Sequence, residues 1–278
     1  MNTPECRLDP LTYLFVPGNR PERFAKALAS GADRVIIDLE DAVAPIDKAV
    51  ARAAIAEWMQ GAGEQRCKVL IRINDASTAW HAEDLHLAAQ VQAACIMLSK
   101  CEAARQIAAV LAILPSTATV LPLVETARGI MALTDIASAP RVHRLAFGSL
   151  DYMAGLDIPA DSPALEMAAA HIAVASRAVG LPSPVAGVTP ELNSVRIDTD
   201  IQQARRLGFG AKLCIHPGQI AAARAALMPT AGEQAWAERV LQAWQRSDGS
   251  AIQLDGKMVD RPVVLRAERI AALCRQPH

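Results

Sequence analysis

The sequence has few aromatic residues, which make up only 4% of its 278 positions. An interior this poor in aromatic rings must be built from Ala, Val, Ile and Leu, which favours helices packed on a parallel sheet over an aromatic-rich β-sandwich. Hydrophobic residues account for 52% of the chain and charged residues for 21%. This balance supplies a large core and excludes an intrinsically disordered chain.

The sequence also lacks a dominant charge and any long apolar run. Its net charge is −1, so electrostatics does not favour a nucleic acid or a membrane surface as partner. Charges and prolines interrupt each apolar stretch before it reaches the ~20 residues that span a bilayer. The first residues do not show the charged-then-apolar order of a secretory signal, so we expect a cytoplasmic protein.

Paired cysteines and a dinucleotide fingerprint are missing as well. The cysteines form no Cys-x-x-Cys pair, which in a long chain is typical of reduced, packed thiols rather than of a disulfide framework or a zinc site. They are Cys6, Cys67, Cys95, Cys101, Cys214 and Cys274. The absence of Gly-x-Gly-x-x-Gly after the first apolar run weakens the structural alternative, an open doubly wound sheet.

What the chain does contain is a repeat of eight short apolar runs, each followed by an amphipathic, Ala-rich stretch. The runs are residues 13–16, 34–39, 69–73, 95–98, 120–124, 144–147, 184–188 and 212–215. Repeated strand–helix units predict a parallel sheet, and eight of them predict closure into an α/β (β/α)8 TIM barrel. Prolines make the seventh run the weakest strand signal, because they remove hydrogen-bond donors.

The repeat ends before the chain does, which divides the predicted architecture in two. Residues 1–229 are predicted to form the barrel, and residues 230–278 a C-terminal helical extension. No stretch rich in Gly, Ser or Pro marks a flexible linker between them. We expect the extension to cover a barrel mouth, in its own subunit or in a neighbouring one.

Polar residues collect where the predicted strands end. In a TIM barrel the reacting groups stand at the C-terminal ends of the strands, so these residues are expected to share one rim. The residues at these positions are Pro17, Gly18, Asn19 and Arg20 after the first run, Asp38, Glu40 and Asp41 after the second, Arg72 and Asn74 on the third, Ser99 and Lys100 after the fourth, and Glu125, Asp151 and His216 after the fifth, sixth and eighth.

Glu125 and Asp151 form the candidate metal pair. Both follow strongly apolar runs on neighbouring predicted strands, and Mg²⁺ typically takes one or two carboxylates and fills its octahedron with water and substrate oxygens. The alternative is that these carboxylates pair with arginines such as Arg128 and Arg144.

Three further rim residues have a functional and a structural interpretation each. Arg72 could bind a substrate carboxylate through its guanidinium fork, or it could pair with Glu40 or Asp41. Glu40 could orient waters around a metal, or serve as the counter-ion of Arg72. Lys100 could form a Schiff base with a carbonyl substrate, or be an ordinary solvated lysine.

Seven segments, in order along the chain, carry recognisable motifs: residues 14–23 (LFVPGNRPER), 38–43 (DLEDAV), 71–74 (IRIN), 121–126 (LPLVET), 147–151 (FGSLD), 208–217 (GFGAKLCIHP) and 254–260 (LDGKMVD). Together they resemble the citrate lyase β-subunit-like branch of the HpcH/HpaI aldolase family. The match covers nearly the whole chain. Three departures stand out: Ser99 in place of a common proline, Tyr152 in place of a common leucine, and a segment 185–190 without the acidic residue often found there.

The resemblance implies an activity and assigns roles to residues. It implies Mg²⁺ held by the positions of Glu125 and Asp151, and Arg72 on the substrate's oxygens. It also implies Asp260 as acid or base, supplied in several relatives by a neighbouring subunit, and hence a homo-oligomer such as a trimer or a multiple of it. The expected reaction is cleavage, or Claisen-type formation, of a 3-hydroxyacyl thioester such as malyl-CoA or citramalyl-CoA, with an oxo acid and the enolate of an acyl-CoA as products.

The expected substrate contacts complete this hypothesis. Backbone donors around Pro17, Gly18 and Asn19, together with Arg72 and Lys100, are expected to bind the substrate and stabilise its developing oxyanion. Three alternatives remain open: a Schiff-base aldolase that uses Lys100, a CoA thioester hydrolase, and a barrel that binds a CoA ester or an organic acid without turnover.

Overall fold

The computed structural model of the protein describes residues 9–247 and 251–275. The chain divides into two compact units, residues 1–224 and 225–278. No helix in the described ranges is long and apolar enough to cross a membrane. Cys95, Cys101, Cys214 and Cys274 are free thiols, whereas Cys6 lies outside the described residues.

The first unit contains a closed barrel of eight parallel strands in the order of the chain, with the last strand paired to the first. The strands are β1 Thr12–Pro17, β2 Arg34–Asp38, β3 Val69–Ile73, β4 Cys95–Leu98, β5 Thr119–Val124, β6 Ala146–Phe147, β7 Val185–Ala186 and β8 Ala211–Cys214. The predicted (β/α)8 barrel is therefore confirmed. The two strands that are shortest, β6 and β7, have two residues each, and the prolines beside β7 limit its backbone pairing.

Helices follow the strands around the barrel. They are α1 Phe24–Leu28, α2 Lys48–Gly61, α3 His81–Gln90, α4 Ala104–Ile113, α5 Ala127–Met131, α6 Leu133–Ser138, α7 Ser149–Leu156, α8 Pro163–Ala178, α9 Ser194–Arg206 and α10 Ile220–Leu227. The amphipathic stretch after β5 forms two short helices, α5 and α6. Helix α7 is not among the sequence predictions, and it determines where Asp151 lies.

The interior of the barrel is a single apolar cluster to which every strand contributes. Its buried members are Tyr13, Ile36, Leu70, Met97, Leu121, Leu123, Ala146, Val185, Ala211 and Leu213. Side chains alternate between the two faces of a strand, so the residues between these positions face the surrounding helices. Aliphatic side chains dominate the cluster, as the low aromatic content predicts.

The second unit has its own elements and its own small core. It contains α11 Ala231–Gln245, the antiparallel pair β9 Ile252–Leu254 and β10 Lys257–Val259, and α12 Arg261–Cys274. The core joins the two helices through Ala237, Val240, Val264, Ala267 and Ile270, with Val259 from β10. The predicted role of residues 230–278 as a lid stays a prediction.

Candidate active site at the barrel mouth

Charged side chains line the mouth of the barrel. They follow the apolar side chains that point into the barrel interior along each strand. Ile36, Leu70 and Leu123 belong to the interior cluster. Two residues further along each strand, in the same alternating row, stand Asp38, Arg72 and Glu125. The apolar core thus ends in charged groups at the C-terminal end of the barrel, where TIM barrels carry their reacting residues.

Arg72 is the centre of a buried ion-pair network. Its Nε and Nη2 donate to the two carboxylate oxygens of Asp38 at 2.6 Å each. Its Nη1 lies 2.6 Å from Glu40 Oε2 and 3.6 Å from Asp41 Oδ2. Burial by itself lowers the pKa of this guanidinium, but the Asp38 and Glu40 carboxylates more than offset that and raise it.

The Arg72 guanidinium also lies over an aromatic ring, 4.8 Å from the centre of Phe15. Only 8% of Arg72 is exposed, and the bidentate pair with Asp38 restricts its rotation. The guanidinium fork has five N–H donors. Some of them remain for a substrate after the contacts with Asp38 and Glu40. Its predicted role in substrate binding stays a prediction.

Lys100 and Glu40 form a second charged contact at the mouth. Lys100 Nζ donates to Glu40 Oε1 at 2.7 Å. Burial lowers the pKa of Lys100, but the hydrogen bond to Glu40 and that group's charge more than reverse the effect and raise it. A Schiff-base lysine must be a neutral amine when it attacks, so this environment disfavours the Lys100 aldolase alternative.

Lys100 also has an unusual backbone conformation that serves the same site. Its φ of 46° lies in the left-handed region, which costs energy for a residue with a side chain. In that conformation its N–H donates to Glu125 Oε1 at 2.8 Å. One residue therefore contacts Glu40 with its side chain and Glu125 with its backbone.

Glu125 is a buried carboxylate, 2% exposed, immediately after β5. Burial raises the pKa of Glu125 to about 8, and the negative charges of Glu40 and Asp151 add to that rise. Buried carboxylates need positive charge or hydrogen bonds to compensate them. The backbone N–H of Lys100 supplies one hydrogen bond, which leaves room for a cation.

Asp151 lies in the first turn of α7 and is half-buried. No ion pair to Asp151 occurs within residues 9–247 and 251–275. The two arginines considered as partners for the acidic pair are engaged elsewhere. Arg128 lies 4.0 Å from Glu102, and Arg144 donates to the carbonyls of Ser183 and Pro10.

Gly148 brings the two acidic residues together. It ends the strand region before α7, and its N–H donates to Val124 O at 3.0 Å. A Cβ at this position would lie 2.3 Å from Glu125 Oε2, so only glycine leaves the carboxylate where it is. The helix that carries Asp151 thus begins directly against Glu125.

This pair has the composition of a magnesium site. No cluster of three or more His, Cys, Asp or Glu side chains suited to a metal occurs in the described ranges. Mg²⁺ needs no such cluster, since one or two carboxylates with water and substrate oxygens suffice. The buried Glu125 and the unpaired Asp151 fit this ion.

The loop after β1 is built by contacts of its own. Gly18 N–H donates to Asp38 O at 2.8 Å, and a Cβ on Gly18 would meet that same oxygen at 2.7 Å. Asn19 Nδ2 donates to Asp47 Oδ2 at 3.1 Å. The Gly18 amide is therefore occupied, and Pro17 has none, so the predicted backbone contribution of this loop to substrate binding depends on Asn19.

Asp260, the predicted acid or base, belongs to the second unit. It is the N-cap of α12, and its Oδ1 accepts from Val263 N–H at 3.3 Å. A carboxylate in this position is favoured by the helix dipole. Its predicted catalytic role is not tested by this geometry.

With this geometry established, comparison with known proteins identifies the family. The family model of the HpcH/HpaI aldolase/citrate lyase matches residues 11–217. The chain belongs to this family. Among HpcH/HpaI members, the citrate lyase subunit beta-like protein of Mycobacterium tuberculosis is 37% identical over 264 residues, which are 92% of each chain. The (3S)-malyl-CoA thioesterase of Cereibacter sphaeroides is 31% identical over 278 residues, 94% of this chain and 95% of that one.

A solved HpcH/HpaI family structure has the same fold. The crystal structure of CitE from M. tuberculosis in complex with magnesium, acetoacetate and coenzyme A is 33% identical, with a TM-score of 0.86. The match covers 97% of this chain and all of that chain. The resemblance found in the sequence segments is thus confirmed.

Sequence reasoning placed Asp38 at the rim of this HpcH/HpaI mouth but missed its role as the bidentate partner of Arg72. The strand register contains the signal, because Asp38 and Arg72 are direct neighbours across β2 and β3. The periodicity of a single strand does not show which residue of the neighbouring strand lies beside it. The pair Asp38–Arg72 is found only when β2 and β3 are aligned in their register.

Proposed function

We propose that this protein is a Mg²⁺-dependent carbon–carbon lyase. It cleaves, or forms by Claisen-type condensation, a 3-hydroxyacyl-CoA thioester such as malyl-CoA or citramalyl-CoA. The observation that carries the proposal is the pair Glu125 and Asp151, which lie on either side of Gly148 at the rim and form no arginine ion pair among the described residues. The Mg²⁺- and CoA-bound CitE structure and the malyl-CoA-named relative support the cofactor and the substrate class.

Each mouth residue has a defined part in this reaction. Glu125 and Asp151 hold the ion, which supplies positive charge that lowers the cost of negative charge on a substrate oxygen. Arg72, oriented by Asp38 and Glu40, presents its remaining N–H groups to the substrate's carboxylate or oxo oxygen. Lys100 holds Glu40 in place from the opposite side.

In the cleavage direction a base removes the proton of the substrate's 3-hydroxyl group. The bond between carbons 2 and 3 then breaks, carbon 3 becomes the carbonyl of the oxo acid, and the electron pair moves into the thioester enolate. Protonation of the enolate gives the acyl-CoA. We assign the base to Asp260, because acid–base catalysis requires a positioned titratable group and the resemblance points to this one.

The direct test is a panel of 3-hydroxyacyl-CoA thioesters with Mg²⁺, in which oxo-acid release is followed and the assay is repeated with EDTA. We expect oxo acid only with the metal. Activity that EDTA leaves unchanged would contradict the proposal.

Thioester hydrolysis is the second candidate, favoured by the relative named as a malyl-CoA thioesterase. The two reactions differ in their products. Lysis of malyl-CoA yields glyoxylate and acetyl-CoA without a free thiol, whereas hydrolysis yields malate and free CoA. Titration of free thiol alongside the oxo-acid assay separates them.

We also propose that the protein is a homo-oligomer, a trimer or a multiple of it, in which Asp260 serves a neighbouring barrel. Asp260→Asn and Asp151→Asn should each be inactive alone. If every active site combines one barrel with a neighbour's extension, random mixing restores both intact parts at about a quarter of the sites. No recovery after subunit exchange, verified by mass spectrometry, would place Asp260 in its own subunit's site.

A further inference from the structure

A cavity outside the barrel contains a buried lysine that the proposed reaction does not use. The outer cavity, as we call it, lies between the outward faces of β6, β7 and β8 and the helices α7, α8 and α9, and has a volume of about 260 Å³. Lys212 of β8 lines it and is only 3% exposed. Ala211 and Leu213 face the barrel interior, so alternation turns Lys212 to the outer side.

Lys212 has no carboxylate bound to it. Its Nζ donates to the carbonyl of Gly187, and an ammonium group has two further N–H donors. No ion pair of Lys212 occurs in the part of the chain that the structure describes. Burial lowers the pKa of Lys212 to about 8, and the charges of Cys214 and Asp200 offset this only in part.

The nearby acidic groups are engaged with other partners. Asp200 pairs through Oδ1 with Arg196 at 3.0 Å and accepts through Oδ2 from Thr189 at 2.7 Å. Glu166 accepts from Gln203 at 2.9 Å. Ala186 stands directly beside Lys212 in the strand register, so the neighbouring strand supplies no counter-ion at this position.

The residues that line the outer cavity indicate which kind of ligand could supply a counter-ion to Lys212. They include Phe147, Leu165, Ala169, Leu207 and Phe209, which suit an aliphatic chain. Glu166, Glu191, Asp200 and Arg196 also line it, and three carboxylates against two cations disfavour any anion with more than one negative charge. Its volume lies just below the roughly 300–1,000 Å³ of drug-sized ligand pockets, so a CoA-sized molecule is excluded.

From these contacts we propose that the outer cavity is a second ligand site, which binds a small aliphatic monocarboxylate with its carboxylate on Lys212. The carboxylate accepts the two N–H donors that Gly187 leaves unused, and the chain packs on Phe147 and Phe209. The site adjoins Ser149 and Leu150 of α7, the helix that carries Asp151. It is separate from the barrel mouth, because it lies on the opposite face of the strands.

The test measures the binding of butyrate and isovalerate to the full-length protein by calorimetry and by the shift in Tm. Butyramide and isovaleramide are the uncharged controls of the same shape. We expect the carboxylates to bind and to raise Tm, and the amides to bind at least about tenfold more weakly, because a charge-assisted hydrogen bond is lost. Inorganic phosphate binding more tightly than butyrate would overturn the proposal.

Two variants of the site locate the binding. Lys212→Met removes the charge and keeps nearly the same chain length, and it should weaken butyrate binding at least about tenfold. The control Lys26→Met changes an exposed lysine of α1 and should leave butyrate binding unchanged. Ala186→Asp gives Lys212 an internal partner and should weaken binding about tenfold relative to Ala186→Asn. Unchanged affinity in Lys212→Met, with the variant's circular dichroism and Tm showing a folded protein, would overturn the proposal.

A third variant separates this site from the barrel mouth. Asp151→Asn disables the proposed metal pair, so a carboxylate bound at the mouth through Mg²⁺ would be lost. A carboxylate bound at Lys212 should keep its affinity in this variant. Loss of butyrate binding in Asp151→Asn would assign the binding to the mouth and overturn the proposal.

Discussion

Two regions on opposite faces of the barrel sheet, the mouth at β2 to β4 and the outer cavity at β6 to β8, differ in how buried charge is compensated. At the mouth, Asp38, Glu40, Arg72 and Lys100 contact one another at 2.6–2.7 Å, each with a partner of opposite sign. In the outer cavity, Lys212 has a carbonyl oxygen as its hydrogen-bond acceptor. Buried charges are tolerated when they are paired and costly when they are not. The comparison indicates that the charges at the mouth are paired within the chain, whereas in the outer cavity no carboxylate of the described residues is bound to Lys212.

The largest expected effect comes from breaking the mouth's acidic pair. Glu125→Gln keeps the size of the side chain and removes its charge, so we expect kcat/KM to fall by roughly 10³-fold, the scale of losing one main electrostatic contribution to catalysis. The variant should stay folded, because the charge is buried in an environment that already raises the pKa of Glu125. Steady-state assays with Mg²⁺ and a thermal melt measure both.

Glu102→Gln is the matched control at the same rim, since Glu102 contacts Thr126 and Arg128 rather than the metal pair. We expect this variant to retain nearly full activity. Equal losses in the two variants would mean that Glu125 has no special part in the reaction.

The next effect tests the pairing of Arg72. Asp38→Asn removes the buried charge that holds the guanidinium bidentately, and should cost roughly 3–5 kcal/mol of unfolding free energy, because a buried cation loses its main partner. Asp41→Asn acts on the same guanidinium from 3.6 Å and from an exposed position. It should cost less than about 1 kcal/mol.

Urea unfolding of the two variants measures that difference directly. A loss for Asp41→Asn as large as that for Asp38→Asn would show that burial does not distinguish these two ion pairs.

The third effect has the opposite sign and concerns the outer cavity. The folded-state pKa of Lys212, about 8, lies below the ordinary lysine value of 10.5, so burying the charged form destabilises the fold. This cost is complete below pH 8 and diminishes as the pH rises from 8 towards 10.5. Lys212→Met should therefore raise the unfolding free energy at pH 7 by about 2 kcal/mol, once the lost hydrogen bond is deducted.

The gain should shrink when the same unfolding experiment is done at pH 9.5, with Lys26→Met as the reference for an exposed lysine. A variant that is less stable than the wild type at pH 7, or a gain independent of pH, would show that the charge of Lys212 is compensated after all.

The smallest effect concerns the surface ion pair that engages Asp200. Arg196→Gln should cost less than about 0.5 kcal/mol, as expected for an exposed i,i+4 pair. It also leaves Asp200 with less competing positive charge, so the pKa of Lys212 should rise. NMR titration of the Lys212 side chain checks the direction, and a fall in its pKa would contradict the electrostatic picture of the cavity.

The sequence predicted the barrel and its mouth well because both follow from local periodicity. Runs of apolar residues followed by amphipathic stretches identified all eight strands, and the position after each run placed Arg72, Lys100 and Glu125 at the rim. The strand before Asp151 was expected to lead to it directly. Instead, the apolar stretch from 144 to 150 contains only a two-residue strand, and helix α7 begins at Ser149. Asp151 therefore lies in the first turn of a helix.

Other features could not be predicted because they depend on neighbours distant in sequence. The Asp38–Arg72 pair needs the register of β2 against β3. The isolation of Lys212 needs the register of β8 against β7 and the side-chain partners on α8 and α9. Periodicity gives the face of a strand on which a residue lies, but not which residue of the next strand lies beside it.

The conformation of Lys100 has a consequence for how this barrel can be divided or recombined. Its side chain holds an acidic residue that follows the second strand, and its amide holds one that follows the fifth. These two hydrogen bonds therefore connect residues at the barrel mouth that belong to non-adjacent strand–helix repeats. A half-barrel fragment cut after the fourth helix would keep Lys100 and Glu40 but lose Glu125, so exchange of halves between relatives must preserve this cross-link if the chimera is to work.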